Sequence, residues 1–308
     1  MSKILGQSPD LTHILRTLPM IALSDASVLI SGETGTGKEL IALSLHEQSR
    51  RRDNALITIN CAALPTEDVE LDLFGRSNEQ GEVTFRGRLL AAEGGTVFLD
   101  EVDALPLSVQ AKVLRFLEAG ECQLQGSHRL HVADVRILAA TSADLPAEVK
   151  AGRFRADLFY RLQVVPIELP ALRNRAEDIP LLMKHYLKEF AGNNAVVRLS
   201  REAEQSLVHY RWPGNIRELQ NLCQRLALLH VGELLQPADL PREMRPEVAI
   251  EQHQFVLPAS GIDLAKVELD LIEQALDMAA GNRSKAARLL GISRDTLLYR
   301  MQKYNLSP

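Results

Sequence analysis

The densest chemistry in the chain lies in eight consecutive residues, Gly32-Glu33-Thr34-Gly35-Thr36-Gly37-Lys38-Glu39. Glycines at this spacing let the backbone turn tightly and aim successive N–H groups inward as a cradle for polyphosphate, and Lys38 can reach the outer phosphates. The preceding residues, SVLIS, read as a strand and the following ELIALSLHEQ as a helix, the context that gives such a loop meaning. Position 39 is Glu39, so the Ser or Thr hydroxyl that usually touches Mg²⁺ is missing. Metal must then be held through water or from another strand. That strand is TVFLDE, which places Asp100 and Glu101 at its C-terminal edge, where open α/β sheets bind ligands. Asp100 is expected to hold Mg²⁺, directly or through water, and Glu101 to polarise the attacking water. Phosphoryl transfer also needs positive charge on the departing phosphate. Arg153, Arg155 and Arg161 in AGRFRADLFYRL are candidates, with solvated helix charges as the alternative role.

A second kind of chemistry lies at the other end. Between Gly281 and Tyr304, a stretch of 24 residues, six basic residues face one acidic residue, a local charge of +5 in a chain of net charge −5. An acidic body with a basic tail can contact nucleic-acid phosphate locally. Asp263–Ala279 reads as a helix with Leu264, Val267, Leu271 and Leu276 near one face. Ser284–Leu290 reads as a short second helix, and Ser293 as the N-cap of a third that runs through Tyr304. Two short helices around a Gly-containing turn suggest a helix-turn-helix whose second member enters the major groove of double-stranded DNA. Leu297 and Met301 should face inward, leaving Arg294, Thr296, Tyr299, Arg300 and Lys303 for DNA. A three-helix packing module is the alternative.

These residues need a scaffold. Ser27–Ser31, Leu56–Cys61, Thr96–Glu101, Asp134–Thr141 and Val164–Leu169 are near-continuous apolar runs, the pattern of strands buried on both faces of a parallel sheet. Helical stretches lie between them, such as Leu107–Ala119 with a stop at Gly120. The repeat predicts an α/β doubly wound nucleotide-binding domain over residues 1–170. Ile179–Phe190, Ser200–Tyr210 and Asn215–Leu229 read as three helices, an all-α unit over 171–234. Residues 235–260 hold four prolines without a sustained period and read as a linker, with a short strand at Gln254–Leu257 as an option. A small helical domain then covers 261–308.

The composition, 46% hydrophobic and 24% charged over 308 residues, excludes a wholly disordered or collagen-like chain. No apolar run approaches the roughly 20 residues that cross a bilayer. The N-terminal MSKILGQSPDLTHILR lacks a basic leader with an apolar core, so the expectation is a soluble, cytoplasmic protein without a membrane partner. Three scattered cysteines form no disulfide framework or metal group. The pair His128 and His131 reads as a turn or strand edge rather than a metal site.

Taken together, GETGTGKE, NCAAL (residues 60–64), LFG (73–75), GGTVFLDE, the AAT run ending at Thr141, GRFRADLFYRL and WPGNIRELQN resemble the AAA+ domain of bacterial sigma-54-dependent enhancer-binding activators. The tail GNRSKAARLLGISRDTLLYRMQKY is similar to the Fis-type helix-turn-helix attached to them. The resemblance implies an α/β AAA+ P-loop ATPase with an all-α lid, binding ATP and Mg²⁺. It also implies a homo-oligomer, dimer to hexamer, that acts on RNA polymerase holoenzyme at a promoter-upstream or enhancer site. By matching motif, Arg155 and Arg161 become arginine fingers to a neighbouring subunit's nucleotide, and Arg217 the lid arginine near the phosphates. Asn60 becomes the residue that switches Glu101 between resting and active orientations. Such activators usually carry a preceding sensory domain; with the motifs starting at residue 4, sensing is expected from elsewhere or not at all.

Two positions depart from the pattern. The family's GAFTGA loop, which touches the sigma factor, follows LFG; here Arg76–Arg86 is shorter, charged and lacks that sequence. The sensor residue after AAT is usually Asn, and here it is Ser142. Three readings follow: a DNA-binding AAA+ regulator that works without the usual sigma-54 loop; a sigma-54 activator with a diverged loop, or with a paralogous partner supplying it; and a nucleotide-gated DNA-binding scaffold without significant turnover.

Overall fold

The structure is a computed structural model that describes residues 4–63, 66–78, 80, 82–126, 129–245, 261–304 and 306. The chain divides into two compact units, Met1–Pro246 and Glu247–Pro308. The five apolar runs of the first unit are strands β1 (Val28–Ser31), β2 (Leu56–Asn60), β3 (Thr96–Asp100), β4 (Arg136–Thr141) and β5 (Val165–Glu168). They form one sheet in the order β2-β3-β4-β1-β5 with every pairing parallel. Successive residues of one strand feed different cores, which explains why the runs are apolar throughout. Leu29, Val97, Leu99, Ile137 and Ala139 pack with helices Thr66–Phe74, Leu107–Ala119 and Ala156–Leu162. Val28, Ile30, Phe98, Leu138 and Ala140 pack with helices Pro9–Ala22 and Lys38–Glu47 on the other face.

The fully buried Arg136 interrupts the apolar run of β4. Its guanidinium donates to the carbonyls of Ile21 and Ala22, both at 2.9 Å, closing the C-terminal end of the first helix. Cys61, Cys122 and Cys223 are all free and buried, and burial pushes their thiols up to about 12, 11 and 12.

The helical part of this unit contains Ile179–Ala191, Arg201–His209 and Asn215–Leu229, with Ser200 capping the second by accepting from the Ala203 amide. Residues 235–245, read from sequence as the start of a linker, belong to this core instead. Leu235, Leu240 and Met244 are buried in the same cluster as Trp212 and Leu219. The prolines there begin short 3₁₀ turns at Pro237–Asp239 and Arg242–Met244, because a fixed φ orders the chain as readily as it ends a helix. The option of a strand at Gln254–Leu257, His128 and Leu64 all lie outside the described residues. Among the described residues, no helix is long and apolar enough to cross a membrane.

The described residues of the second unit form three helices, Leu264–Met278, Arg283–Leu289 and Arg294–Lys303. Asp263, Asn282 and Ser293 cap them through their side chains. The core face of the first helix differs from the one read in the sequence. Ile272, Ala275 and Ala279 are buried and Leu276 packs against them as read, whereas Leu264 and Leu271 are 72% and 49% exposed. The small Ala286 and Ala287 of the second helix let that alanine-bearing face approach closely, and this sets the rotation of the first helix.

The N-terminal segment is fastened to the helical part by one carboxylate. Asp178 is fully buried and accepts from the Gln7 and Ser8 amides and from Ser8 Oγ at 2.6, 2.9 and 2.8 Å. Asp178→Ala would leave three donors without their acceptor, a loss of about 2–4 kcal/mol. A lowered urea midpoint checks this; an unchanged midpoint would show the anchor to be dispensable.

Candidate functional site

The parallel order brings the C-terminal ends of β2, β3, β4 and β1 side by side, and the sequence motifs sit on those ends. The loop of residues 32–37 leaves β1 and enters helix Lys38–Glu47. Gly35 and Gly37 have φ of 81° and 104°, the left-handed region that only glycine enters cheaply. At Gly35 a Cβ would also lie 2.4 Å from the Gly214 carbonyl oxygen. Lys38 is buried, and its Nζ donates to the carbonyls of Gly32 (2.7 Å) and Glu33 (3.2 Å). Burial draws its pKa below the usual lysine range, against the opposing pull of Asp100 and Glu101. The Thr36 hydroxyl donates to the Glu33 carbonyl at 2.7 Å, while Thr34 and Glu39 are exposed. Glu39 stands in the first turn of the helix, where its charge suits the helix dipole.

Glu33 turns away from the loop interior. Its carboxylate takes both Arg173 guanidinium nitrogens, at 2.8 and 2.5 Å, and Asn215 Nδ2 at 3.1 Å. The Arg173 bond, then that of Asn215, hold its pKa down at about 2. Arg217 stands in the first turn of helix Asn215–Leu229, which carries the lid motif. Its Cβ lies 3.2 Å from where a Gly35 side chain would start, and its charge acts on Lys38.

Asn60 and Asp100 are register partners across β2 and β3, and the Cys61 amide donates to the Asp100 carbonyl. Glu101 follows the strand with φ 53° and ψ 52°, a strained conformation for a non-glycine residue, and begins the turn Val102–Ala104. That turn is braced from the next strand, since Thr141 Oγ1 at the end of β4 donates to Asp103 Oδ1 at 2.5 Å. The Gly32 amide in turn donates to the Thr141 carbonyl at 3.3 Å. Asn60 Oδ1 accepts from the Ala62 and Ala63 amides, so in this structure it shapes its own turn. Ser142 is exposed beside Thr141. Sequence reasoning missed Asp103 and Thr141 as a pair. The only signal was a third carboxylate two positions after Glu101.

The arginine-rich stretch lies elsewhere on this unit. Buried Gln110 donates to the Arg153 carbonyl and accepts from the Arg155 amide, fixing the backbone there. The Arg155 side chain pairs with Asp157 at 2.7 Å, Arg153 pairs with Glu148, and Arg161 donates to the Leu117 carbonyl. Their hydrogen bonds thus run to local partners rather than to the chain's own phosphate loop.

A site missed altogether in the sequence is a narrow cleft of about 40 Å³ against Thr36 and Gly37. Leu5, Leu11, Ile41, Leu169, Leu182 and Ile216 line it, drawn from separate segments, so no local pattern announces it. Among the described residues no cluster of three or more His, Cys, Asp or Glu side chains could hold a metal on its own.

After the LFG residues, Gly75–Ser77 and Val83–Arg86 form a short antiparallel hairpin. Asn78 and Glu82 close it through three hydrogen bonds of 2.8–2.9 Å. Gln125, from the neighbouring hairpin Glu121–Gln123 and Leu130–Val132, binds the backbone of Gly75 and Ser77 and accepts from the Arg76 guanidinium. Val83 and Phe85 remain 44% and 47% exposed.

In the second unit, Leu297 and Met301 face inward as expected, and Arg294, Tyr299 and Lys303 are exposed. Thr296 is half-buried, its hydroxyl bonded to Ser293 Oγ at 2.7 Å. Arg300 forms an ion pair with Glu268 of the first helix, which also accepts from the Tyr304 hydroxyl at 2.5 Å. Lys303 lies over the Tyr304 ring, 5.0 Å from its centroid.

Comparison with known proteins accords with this geometry. Residues 4–168 match the sigma-54 interaction domain, 173–255 the AAA+ ATPase lid domain, and 263–304 the Fis family of bacterial regulatory proteins. The transcriptional regulatory protein ZraR of Escherichia coli K12 is 44% identical, over 97% of this chain and 68% of the relative. The DNA-binding transcriptional regulator NtrC of Azospirillum brasilense is 40% identical, over 96% of this chain and 68% of the relative. The structure of NtrX from Brucella abortus in complex with ATP superposes with a TM-score of 0.73 at 32% identity, covering 98% of this chain and 69% of that one. The chain therefore spans about two thirds of the length of these relatives. An ATP-binding AAA+ ATPase domain with a helical lid, followed by a DNA-binding helix-turn-helix, places the chain in the sigma-54-dependent family of bacterial transcription regulators.

Proposed function

We propose that the chain hydrolyses ATP at sites shared between subunits of a homo-oligomer, and regulates transcription without gripping sigma-54 through the family's usual loop. The observation that carries this reading is the closed hairpin of Gly75–Ser77 and Val83–Arg86. Asn78 and Glu82 clamp it, and Gln125 ties it to its neighbour, so little free length is left to project. Arg76, Glu82 and Arg86 flank it, and a desolvated protein contact would have to bury those charges at a cost. A sigma-54 activator with a diverged loop is the second reading, supported by the exposed Val83 and Phe85. RNA polymerase holoenzyme is the partner on either reading, and the cytoplasm the compartment. Asp100 would hold Mg²⁺, which would supply charge neutralisation at the phosphates when bound. Lys38 would bind the outer phosphates, Glu101 would accept a proton from water, and Arg217 would approach from the lid. Ser142 and Asn60 would orient the polar groups around Glu101, and Arg155 and Arg161 would reach a neighbour's site.

Lys38→Ala should abolish tight ATP binding, read by titration with a fluorescent analogue; unchanged affinity would refute the loop assignment. Glu101→Gln should keep binding and lower turnover by at least about 100-fold. Mixing Arg155→Ala with Lys38→Ala subunits should restore some activity if sites are shared. Strictly additive rates across mixing ratios would argue for self-contained sites, and no turnover by the wild type would favour the scaffold reading.

For DNA, Lys303→Ala should weaken binding to all sequences and Arg294→Ala should also erode sequence preference. Salt titrations on cognate and random duplexes measure both effects. Equal loss on the two duplexes would remove Arg294 from the base-reading set.

The protein alone should form no stable complex with sigma-54 in the presence of ADP and aluminium fluoride, while still binding its own promoter DNA. Native gel shift decides this, and a stoichiometric trapped complex would favour the diverged-loop activator.

A further inference from the structure

The lid grips the phosphate loop by its carbonyls, one residue after another. Asn215 Nδ2 donates to the Thr34 carbonyl at 3.0 Å, the Ile216 amide to the Gly35 carbonyl at 2.9 Å, and Arg175 Nη2 to the Thr36 carbonyl at 3.0 Å. Because each peptide unit is planar, a carbonyl held on the lid side turns the N–H of the same unit the opposite way. Three consecutive peptide units are thereby oriented: the Gly35 and Gly37 N–H groups are turned away from the lid, where an anion could take them, while the Thr36 N–H closes the loop on the Glu33 carbonyl at 3.3 Å. Asn215 itself has no freedom to drift: it is fully buried, sits at φ 52°, and its Oδ1 accepts from the Leu172 amide at 2.8 Å.

Glu33 is the acidic member of this junction. It is the only acidic residue within the loop of residues 32–37, so a carboxylate stands beside the place where a polyphosphate would accumulate several negative charges. Arg173 meets it with a bidentate pair, and Asn215 adds a third donor to the same carboxylate. None of these three donors is needed to touch phosphate in order to influence it.

We propose that Arg173 and Asn215 are positioning residues for ATP binding. They act through Glu33 and the loop carbonyls, with Arg173 cancelling the charge of Glu33 so that the loop can accept polyphosphate. The inference rests on ATP binding by this loop, which Lys38→Ala tests separately. If Lys38→Ala loses affinity and the variants below do not behave as stated, only the present proposal fails.

Arg173 is nearly half exposed, so its replacement leaves no cavity. Arg173→Gln, in the full chain, removes the cancelling charge and leaves an uncompensated carboxylate on the phosphate loop. The dissociation constant for a fluorescent ATP analogue should rise about tenfold, the scale of one charge at a few ångströms when water screens it, as it does at this half-exposed pair. The effect on kcat at saturating ATP should be much smaller than that on KM. Adding Glu33→Gln to Arg173→Gln removes the carboxylate while its amide oxygen can still accept from Asn215. The double variant should recover affinity to within about threefold of the wild type. Arg173→Lys, which keeps the charge but not the fork, should fall between the wild type and Arg173→Gln. A merely structural pairing predicts the opposite order, with the double variant binding ATP as weakly as Arg173→Gln or more weakly. That outcome, or unchanged affinity in Arg173→Gln, would overturn the proposal.

Discussion

The contact between the Trp212–Asn215 turn and the phosphate loop governs much of the first unit. Trp212 is fully buried, donates from its indole to the Leu207 carbonyl at 2.8 Å and packs edge-on to Tyr210. The turn it anchors then runs so close to Gly35 that no side chain would fit there. Both Trp212 and Asn215 adopt left-handed backbone, at φ 50° and 52°, a conformation costly enough to need the surrounding packing to hold it. The apolar core of the helical part therefore fixes a turn, the turn fixes a loop, and the loop sets where phosphate can bind.

The sheet supplies the other half of the arrangement. With β3 between β2 and β4, Asp100 has Asn60 beside it on one side and the end of β4 on the other. Glu101 leaves the sheet in a backbone conformation that the strand does not favour, and the Asp103 carboxylate tied to Thr141 holds the following turn. The positions of Asn60, Asp100 and Glu101 thus depend on hydrogen bonds between neighbouring strand ends. This is how a parallel sheet converts register into chemistry.

What the sequence made legible was whatever is written locally. The five strands were visible because both faces of each are buried, and helix Leu107–Ala119 because its apolar spacing and Gly120 stop agree. Ser200 and Ser293 announced helix starts through their side-chain chemistry, whereas Asn282, the cap of helix Arg283–Leu289, was not read as one. The loop and Lys38 were legible for the same reason, since six residues between a strand and a helix suffice to define them. Partners remote in sequence were not legible. Glu33 and Arg173 are 140 residues apart, and Asp178 lies 170 from Ser8. Composition also misled at 235–245, where prolines that look like a linker shape turns, and at Leu264 and Leu271, where large apolar residues face outward because two alanines pack better inward. Arg300 illustrates the same limit. Its basic charge suggested DNA, but Glu268, 32 positions away in the sequence, takes it up within the domain.

The three cysteines have a practical consequence. Each is sealed in a core and kept in its protonated thiol form well above neutral pH, so the native chain offers alkylating reagents no ready nucleophile. A single cysteine introduced at an exposed position such as Val83 or Tyr299 would then carry a spin label or fluorophore alone. The hairpin and the recognition helix could each be watched spectroscopically without first stripping the protein of its own sulfur.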